Sequence, residues 1–226
     1  RHVQRRRQMP KIALILIDIQ NDYFPGGDWE LHEMTATSAQ AAELLRAARA
    51  QGDLVVHIRH ENPNPDAPFF RTGSKGAEIH ASVLPQDGEA VLIKHRPNSF
   101  HGTRLQELLQ DAEVEEVILC GAMSQMCVDA TARAAADFGF AVTIAEDACA
   151  ARAVEFGGVS VSAEQVHAAF MAPLAMGYAK VVKAAEVLRW SQGRSRAWMG
   201  SQKPIHDRIY SSNGSHSSST SGRASA

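Results

Sequence analysis

The chain has 226 residues, 45% of them hydrophobic, and its 23 basic and 25 acidic side chains leave a formal net charge of -2. That length and apolar share allow one domain with a full core, and the near-balanced charge gives no electrostatic ground for nucleic acid or a membrane as partner. Three cysteines, an odd number without metal-type spacing, argue against a disulfide framework and suit a reducing cytoplasm.

Residues 1–8, "RHVQRRRQ", read as a disordered basic arm ahead of Met9, a plausible natural start. No apolar stretch of signal-peptide length follows, and no run is long enough to span a bilayer. "KIALILI" (11–17) is continuously apolar, as in a strand buried on both faces. "TATSAQAAELLRAARAQG" has helical spacing and stops at Gly52. "LVVHIRH" (54–60) is the second strand, followed by a long Pro/Gly loop (61–80) of the kind that covers a pocket. "AVLIKH" (90–95) is a strand, and "TRLQELLQDA" a helix capped by Thr103. "EVILCGA" (116–122) leads into an Ala-rich helix that Gly139 ends, and "FAVTIAED" (140–147) is the next strand. A helix begins at the cap Ser162, with Pro173 expected to bend or shorten it, and "AKVVKAAEVL" (179–188) reads as a last strand. The hydrophobic domain thus spans 9–190, and the Ser/Gly-rich remainder, 191–226, reads as a disordered tail.

Strands alternating with helices predict an α/β fold: a mostly parallel sheet of about six strands between two helical layers, Rossmann-like. In such folds sites form at the carboxyl ends of strands. Three chemically useful side chains fall there: Asp18 after the first strand, Lys94 at the end of the third and Cys127 past the fourth. Each has a plainer reading alone, as a loop cap, a solvated lysine and a small buried hydrophobe. Together they suit a cysteine hydrolase. Cys127, at a helix start, attacks as a thiolate, Asp18 takes and returns its proton, and Lys94 orients Asp18 and favours the thiolate. Backbone N–H groups at the turn would form an oxyanion hole. Ser124 also looks like an N-cap whose hydroxyl would compete for the Cys127 N–H. Cys120 reads as core, and Cys149 as a residue near the site edge.

"LILIDIQNDYFPGG", "LIKHRPNSFHGTRL" and "VILCGAMSQMCVDATARAAADFGFAVTIAEDACAAR" closely resemble the isochorismatase-like cysteine hydrolase superfamily, over most of residues 9–187. The third segment is the most specific, with its Gly-small-x-Ser/Thr-x-x-Cys-Val turn followed by Thr-x-Arg and Gly. The resemblance implies an Asp–Lys–Cys triad at Asp18, Lys94 and Cys127. It also implies a cis peptide at Ala122–Met123, which would aim the Met123 N–H, with that of Cys127, at an oxyanion. Homo-oligomers, dimers or tetramers, are common in the superfamily.

The superfamily's nicotinamidase branch carries a metal on an Asp-x-His followed by another His. Here the matching region holds His57 and His60 but no Asp-x-His, and strand alternation would send those two histidines to opposite sides. No metal and no cofactor are therefore expected, and His80, His95 and His101 read as loop or surface residues. Placement alone makes Phe24, Trp29, Arg71, Asn98 and Phe100 candidate substrate contacts, Arg71 for an anionic group. The intact cysteine favours cleavage of an amide, lactam or other C–N bond of a small molecule through a thioester. Two alternatives stand: vinyl ether hydrolysis with Asp18 as acid, and a non-catalytic oligomeric subunit whose Ala-rich helices pack against another copy.

Overall fold

The computed structural model describes residues 11–193. The expected basic arm and Met9 lie outside the described residues, as does the expected tail 191–226 except residues 191–193, which are helical rather than disordered. At the centre is β1 (Ile12–Ile17), buried along its whole length. It pairs in parallel with β2 (Leu54–His60) on one side and β4 (Glu116–Ala122) on the other. β3 (Ala90–Lys94) joins beyond β2, while β5 (Ala141–Ala150) and β8 (Lys180–Val182) extend the other flank. The order is β3-β2-β1-β4-β5-β8, six strands, all parallel.

The pleat of β1 divides the core. Ile12, Leu14 and Leu16 pack with Leu44 and Leu45 of α1 (Met34–Gln51) and Val187 of α5 (Ala184–Gly193). Ala13, Ile15 and Ile17 pack with Leu105 and Leu109 of α2 (Leu105–Asp111), Ala132 of α3 (Asp129–Asp137) and Leu174 of α4 (Ala163–Gly177). Successive side chains alternate between faces, so a central strand under two helical layers has no polar side to display. Each such buried aliphatic side chain contributes on the order of 2 kcal/mol. The chain runs outward from β1 to β3 and then returns to β4 on the other side of β1. In open α/β sheets ligands bind at such a reversal, outside the carboxyl ends of the strands, here β1 and β4.

Local signals mostly hold. Gly52, at φ 70°, ends α1, and Ser162 opens α4 with a capping box to Gln165. Thr103 Oγ1 accepts from the Leu105 N–H (3.2 Å) at the start of α2. Three of the expected elements need correction, and one hairpin was not foreseen. The last strand covers only Lys180–Val182, because "AAEVLRWS" buries Ala184, Val187 and Ser191 at helical spacing. Asp147 Oδ1 accepts the Ala184 N–H (2.6 Å) where that helix begins. α4 continues through Pro173 to Gly177, since both Pro173 and the Ala169 carbonyl it leaves unbonded face solvent. β5 extends to Ala150, past the expected end at 147, by a register shift opposite Leu119 and Gly121. A short antiparallel hairpin, β6 (Val154–Phe156) and β7 (Val159–Val161), turns at Gly157 and Gly158, both at positive φ. Among the described residues no helix is long and apolar enough to cross a membrane.

Candidate active site

Three strand ends bring their side chains to one buried point. Asp18 follows β1 in a left-handed backbone conformation, φ 52°, which costs a residue with a Cβ about 1–2 kcal/mol. Its N–H is held by the Ile58 carbonyl at 3.0 Å. The carboxylate is fully buried; Oδ2 accepts from Lys94 Nζ at 2.8 Å, and Oδ1 makes no hydrogen bond among the described residues. Lys94, the last residue of β3, is also within 3.3 Å of Cys127 Sγ and 2.9 Å of His60 Nδ1. An ammonium has three N–H bonds. Here it has three acceptors, from β1, β2 and the segment after β4.

The segment after β4 sets the cysteine. Gly121 has φ 124°, and a Cβ there would lie 2.0 Å from the Ile17 carbonyl oxygen, so only glycine lets β4 pass β1 this closely. The Ala122–Met123 peptide is cis. Ser124–Val128 then forms a π-type turn ahead of α3. The Met123 carbonyl accepts from the N–H of Met126 (3.1 Å) and Val128 (3.2 Å), so the bond that an α-turn gives the residue between them is not made. Ser124 is the first residue of this turn and not its N-cap, and its hydroxyl bonds His167 Nδ1 at 2.8 Å.

Burial governs protonation here. Cys127 is 4% exposed, and its thiol is pushed well above the ordinary range by burial and the neighbouring Asp18 carboxylate, against the opposing pull of Lys94. The thiolate that the helix position and Lys94 suggest in sequence is thus not the resting form; desolvation outweighs both. Burial also works against the charge on Lys94, but Asp18 and Cys127 hold it above its usual value. At rest, therefore, Lys94 is an ammonium and Cys127 a neutral thiol. His60 is pushed down to about 4, by burial and then by Lys94, so it is neutral at physiological pH.

The sequence model of the family described as Isochorismatase domain matches residues 12–186. The chain belongs to the isochorismatase family. It is 45% identical over 169 residues to the uncharacterized isochorismatase family protein YddQ of Bacillus subtilis, covering 75% of this chain and 94% of that one. It is 34% identical over 151 residues to maleamate amidohydrolase of Pseudomonas putida, covering 61% of this chain and 71% of that one. Among solved structures it is similar to an isochorismatase hydrolase from Oleispira antarctica, with 47% identity and a TM-score of 0.77 over 80% of this chain and 98% of that one. The protein is a hydrolase of this isochorismatase family.

Around Asp18, Lys94 and Cys127, the loop of residues 61–80 lies against the segment after β1. Asp22 is the tie: Oδ2 accepts the Phe70 N–H (2.7 Å), Oδ1 the Asp28 N–H (3.2 Å), and its carbonyl the Trp29 N–H (2.9 Å). A Cβ on Gly76 would lie 2.0 Å from Asp22 Oδ1, so the loop rests directly on this carboxylate. Phe69 stacks on Trp29 with ring centroids 4.7 Å apart, and Phe70 packs on Tyr23 at 4.5 Å.

The expected substrate contacts are divided. Trp29 lies in this aromatic group, and Phe24 stacks on His80 at 3.5 Å. Phe100 belongs to the other core layer, with Cys127, against Phe138 and Phe140. Asn98 closes a local turn by accepting the Phe100 N–H. Arg71 is already engaged by Asp28 (2.6 Å) and the Ala67 carbonyl (3.0 Å). The cation at the aromatic group is instead Arg152, 3.7 Å over the Trp29 ring. Sequence reasoning passed over Arg152 and weighed His60 only as a metal ligand, although the strand-end rule that selects Lys94 selects His60 on β2 equally. His57, three residues away, goes to Glu89 (2.9 Å), as strand alternation requires. Cys149 lies within β5, buried opposite Gly121, and lines a cavity of about 360 Å³ between α1 and α4, away from Asp18, Lys94 and Cys127. The described residues that can gather around a metal ion are Asp18, His60 and Cys127, with ligand atoms within 4.8 Å of one another. Lys94 Nζ already bonds an atom of each, so an ion at that point would have to displace the ammonium.

Proposed function

We propose that the protein hydrolyses an amide or another C–N bond of a small molecule through a Cys127 thioester. The observation that carries this reading is the shared ammonium: Lys94 Nζ donates to both Asp18 Oδ2 and Cys127 Sγ, while Asp18 Oδ1 has no hydrogen-bond partner among the described residues. The buried neutral thiol needs a base at the moment of attack, and Asp18 is the carboxylate beside it. As Sγ bonds to the substrate carbonyl carbon, Asp18 takes the thiol proton and Lys94 balances the negative charge. The carbonyl oxygen becomes an oxyanion, for which the N–H groups of Met123 and Cys127 are the donors. Asp18 then gives the proton to the leaving nitrogen, the C–N bond breaks, and an amine or ammonia departs. A water, deprotonated by Asp18, attacks the thioester; the acid leaves and the thiol is restored. The amide cleaved by the Pseudomonas putida relative, as its name states, supports this substrate class.

The test is a screen of small amides, lactams and carbamoyl compounds with wild type and Cys127→Ala. Turnover should vanish in the variant, and hydroxylamine should trap the acyl group in the wild type. Turnover of any of these that survives in Cys127→Ala rules out the thioester; cleavage of an added vinyl ether by both wild type and Cys127→Ala, with no C–N substrate turned over, favours vinyl ether hydrolysis with Asp18 as the acid.

A further inference from the structure

We infer that His60 is a positioning residue for the Lys94 ammonium, supplying the third of the three acceptors that fix Nζ between Asp18 and Cys127. The inference rests on Lys94 serving the thiol as set out above. His60 and Lys94 are register partners on neighbouring parallel strands, so the pleat sends both side chains to the same side. The ring nitrogen facing Nζ is Nδ1, at 2.9 Å. An ammonium cannot accept a hydrogen bond, so Nδ1 carries the lone pair and the proton sits on Nε2.

The surroundings hold this arrangement. Gln20, fully buried, grips the His60 backbone from both sides: Oε1 accepts its N–H at 2.8 Å and Nε2 donates to its carbonyl at 2.8 Å. The same Nε2 reaches the Ala77 carbonyl at 2.8 Å, which ties the covering loop to the strand end. The Phe70 ring, centroid 5.9 Å from the imidazole, packs against it. The titratable groups around the ring are Lys94, Asp18, Cys127 and His95. Lysine has a long flexible stem, and with two acceptors its ammonium can rotate out of line. A third, rigid acceptor removes that freedom. A neutral acceptor does this without adding a second carboxylate that would compete with Asp18 for the ammonium and raise the thiol further.

The experiment needs no substrate. Iodoacetamide labelling of Cys127 at pH 8 is followed by mass spectrometry in wild type, His60→Leu and His60→Asn. The buried Cys120 and Cys149 report any general opening in the same sample. Asn Oδ1 takes the place of His Nδ1, whereas Leu offers no acceptor. Labelling of Cys127 should slow by about fivefold or more in His60→Leu and return to within about twofold of wild type in His60→Asn. Labelling of His60→Leu at the wild-type rate or faster, with Cys120 and Cys149 silent, overturns the inference, as does His60→Asn as slow as His60→Leu. Should His60→Leu fail to fold, ¹⁵N NMR of the wild type decides: an Nε2–H tautomer at pH 7 supports the assignment, and an Nδ1–H tautomer refutes it. Substrate turnover in Cys127→Ala tests the thioester separately, so failure of either reading is visible by itself.

Discussion

Lys94→Met removes the ammonium and keeps most of the volume of its stem. In the native protein, Nζ is fully buried against a fully buried Asp18 carboxylate at 2.8 Å. Without it Asp18 has lost its cation, and breaking a buried pair from one side costs about 3–5 kcal/mol. For a domain of this size that lowers the melting temperature by roughly 10 °C. Asp18→Asn with Lys94→Met removes both charges together, so it should be more stable than the sum of the two single changes by about 2 kcal/mol or more. Urea unfolding of the four proteins at pH 8 gives this coupling directly. Neither variant should retain turnover, because one lacks the cation and the other also lacks the base. If Lys94→Met loses less than about 1 kcal/mol, or the double change is additive, the pair is not the buried ionic unit described here.

Asp22→Ala should loosen the covering loop by removing the acceptor of the Phe70 and Asp28 N–H groups, at about 2–3 kcal/mol locally; trypsin should then cut at Arg71 or Lys75 faster than in wild type, and unchanged cleavage would refute the tie. Acid should destabilise the fold through His60. Its folded value of about 4 lies below the ordinary 6.5, so between those limits the unfolded chain binds the proton that the folded chain refuses, and stability falls as pH falls. The shift corresponds to about 3 kcal/mol at most, or about 2 kcal/mol after allowing for the partial exposure of the ring. The stability difference between wild type and His60→Asn should therefore move by about that amount in favour of the variant from pH 7 to pH 4, and a constant difference in urea titrations would contradict it. Buried His57, also pushed down, contributes with the same sign in both proteins.

Sequence alone determined the elements and the edge on which the chemistry lies. A continuous apolar run such as "IALILI" has one stable place, the middle of a covered parallel sheet, and Gly52, Thr103 and Ser162 mark helix ends by local backbone chemistry. The strand-end rule then brought Asp18, Lys94 and Cys127 together across more than a hundred residues of chain. Tertiary structure decided what depends on neighbours far away in sequence. Helical spacing in "AAEVLRWS" overrode a strand reading once α5 had a sheet face to cover. Arg71 was drawn off by Asp28, and Arg152 came to lie over Trp29. The charge state of Cys127 turned on desolvation, which no spacing records: a helix start and a lysine favour the thiolate, but a thiol 4% exposed beside Asp18 keeps its proton. The third acceptor of Lys94 likewise depends on the parallel register of β2 and β3, which sets His60 beside Lys94 and is fixed only when the whole sheet is assembled.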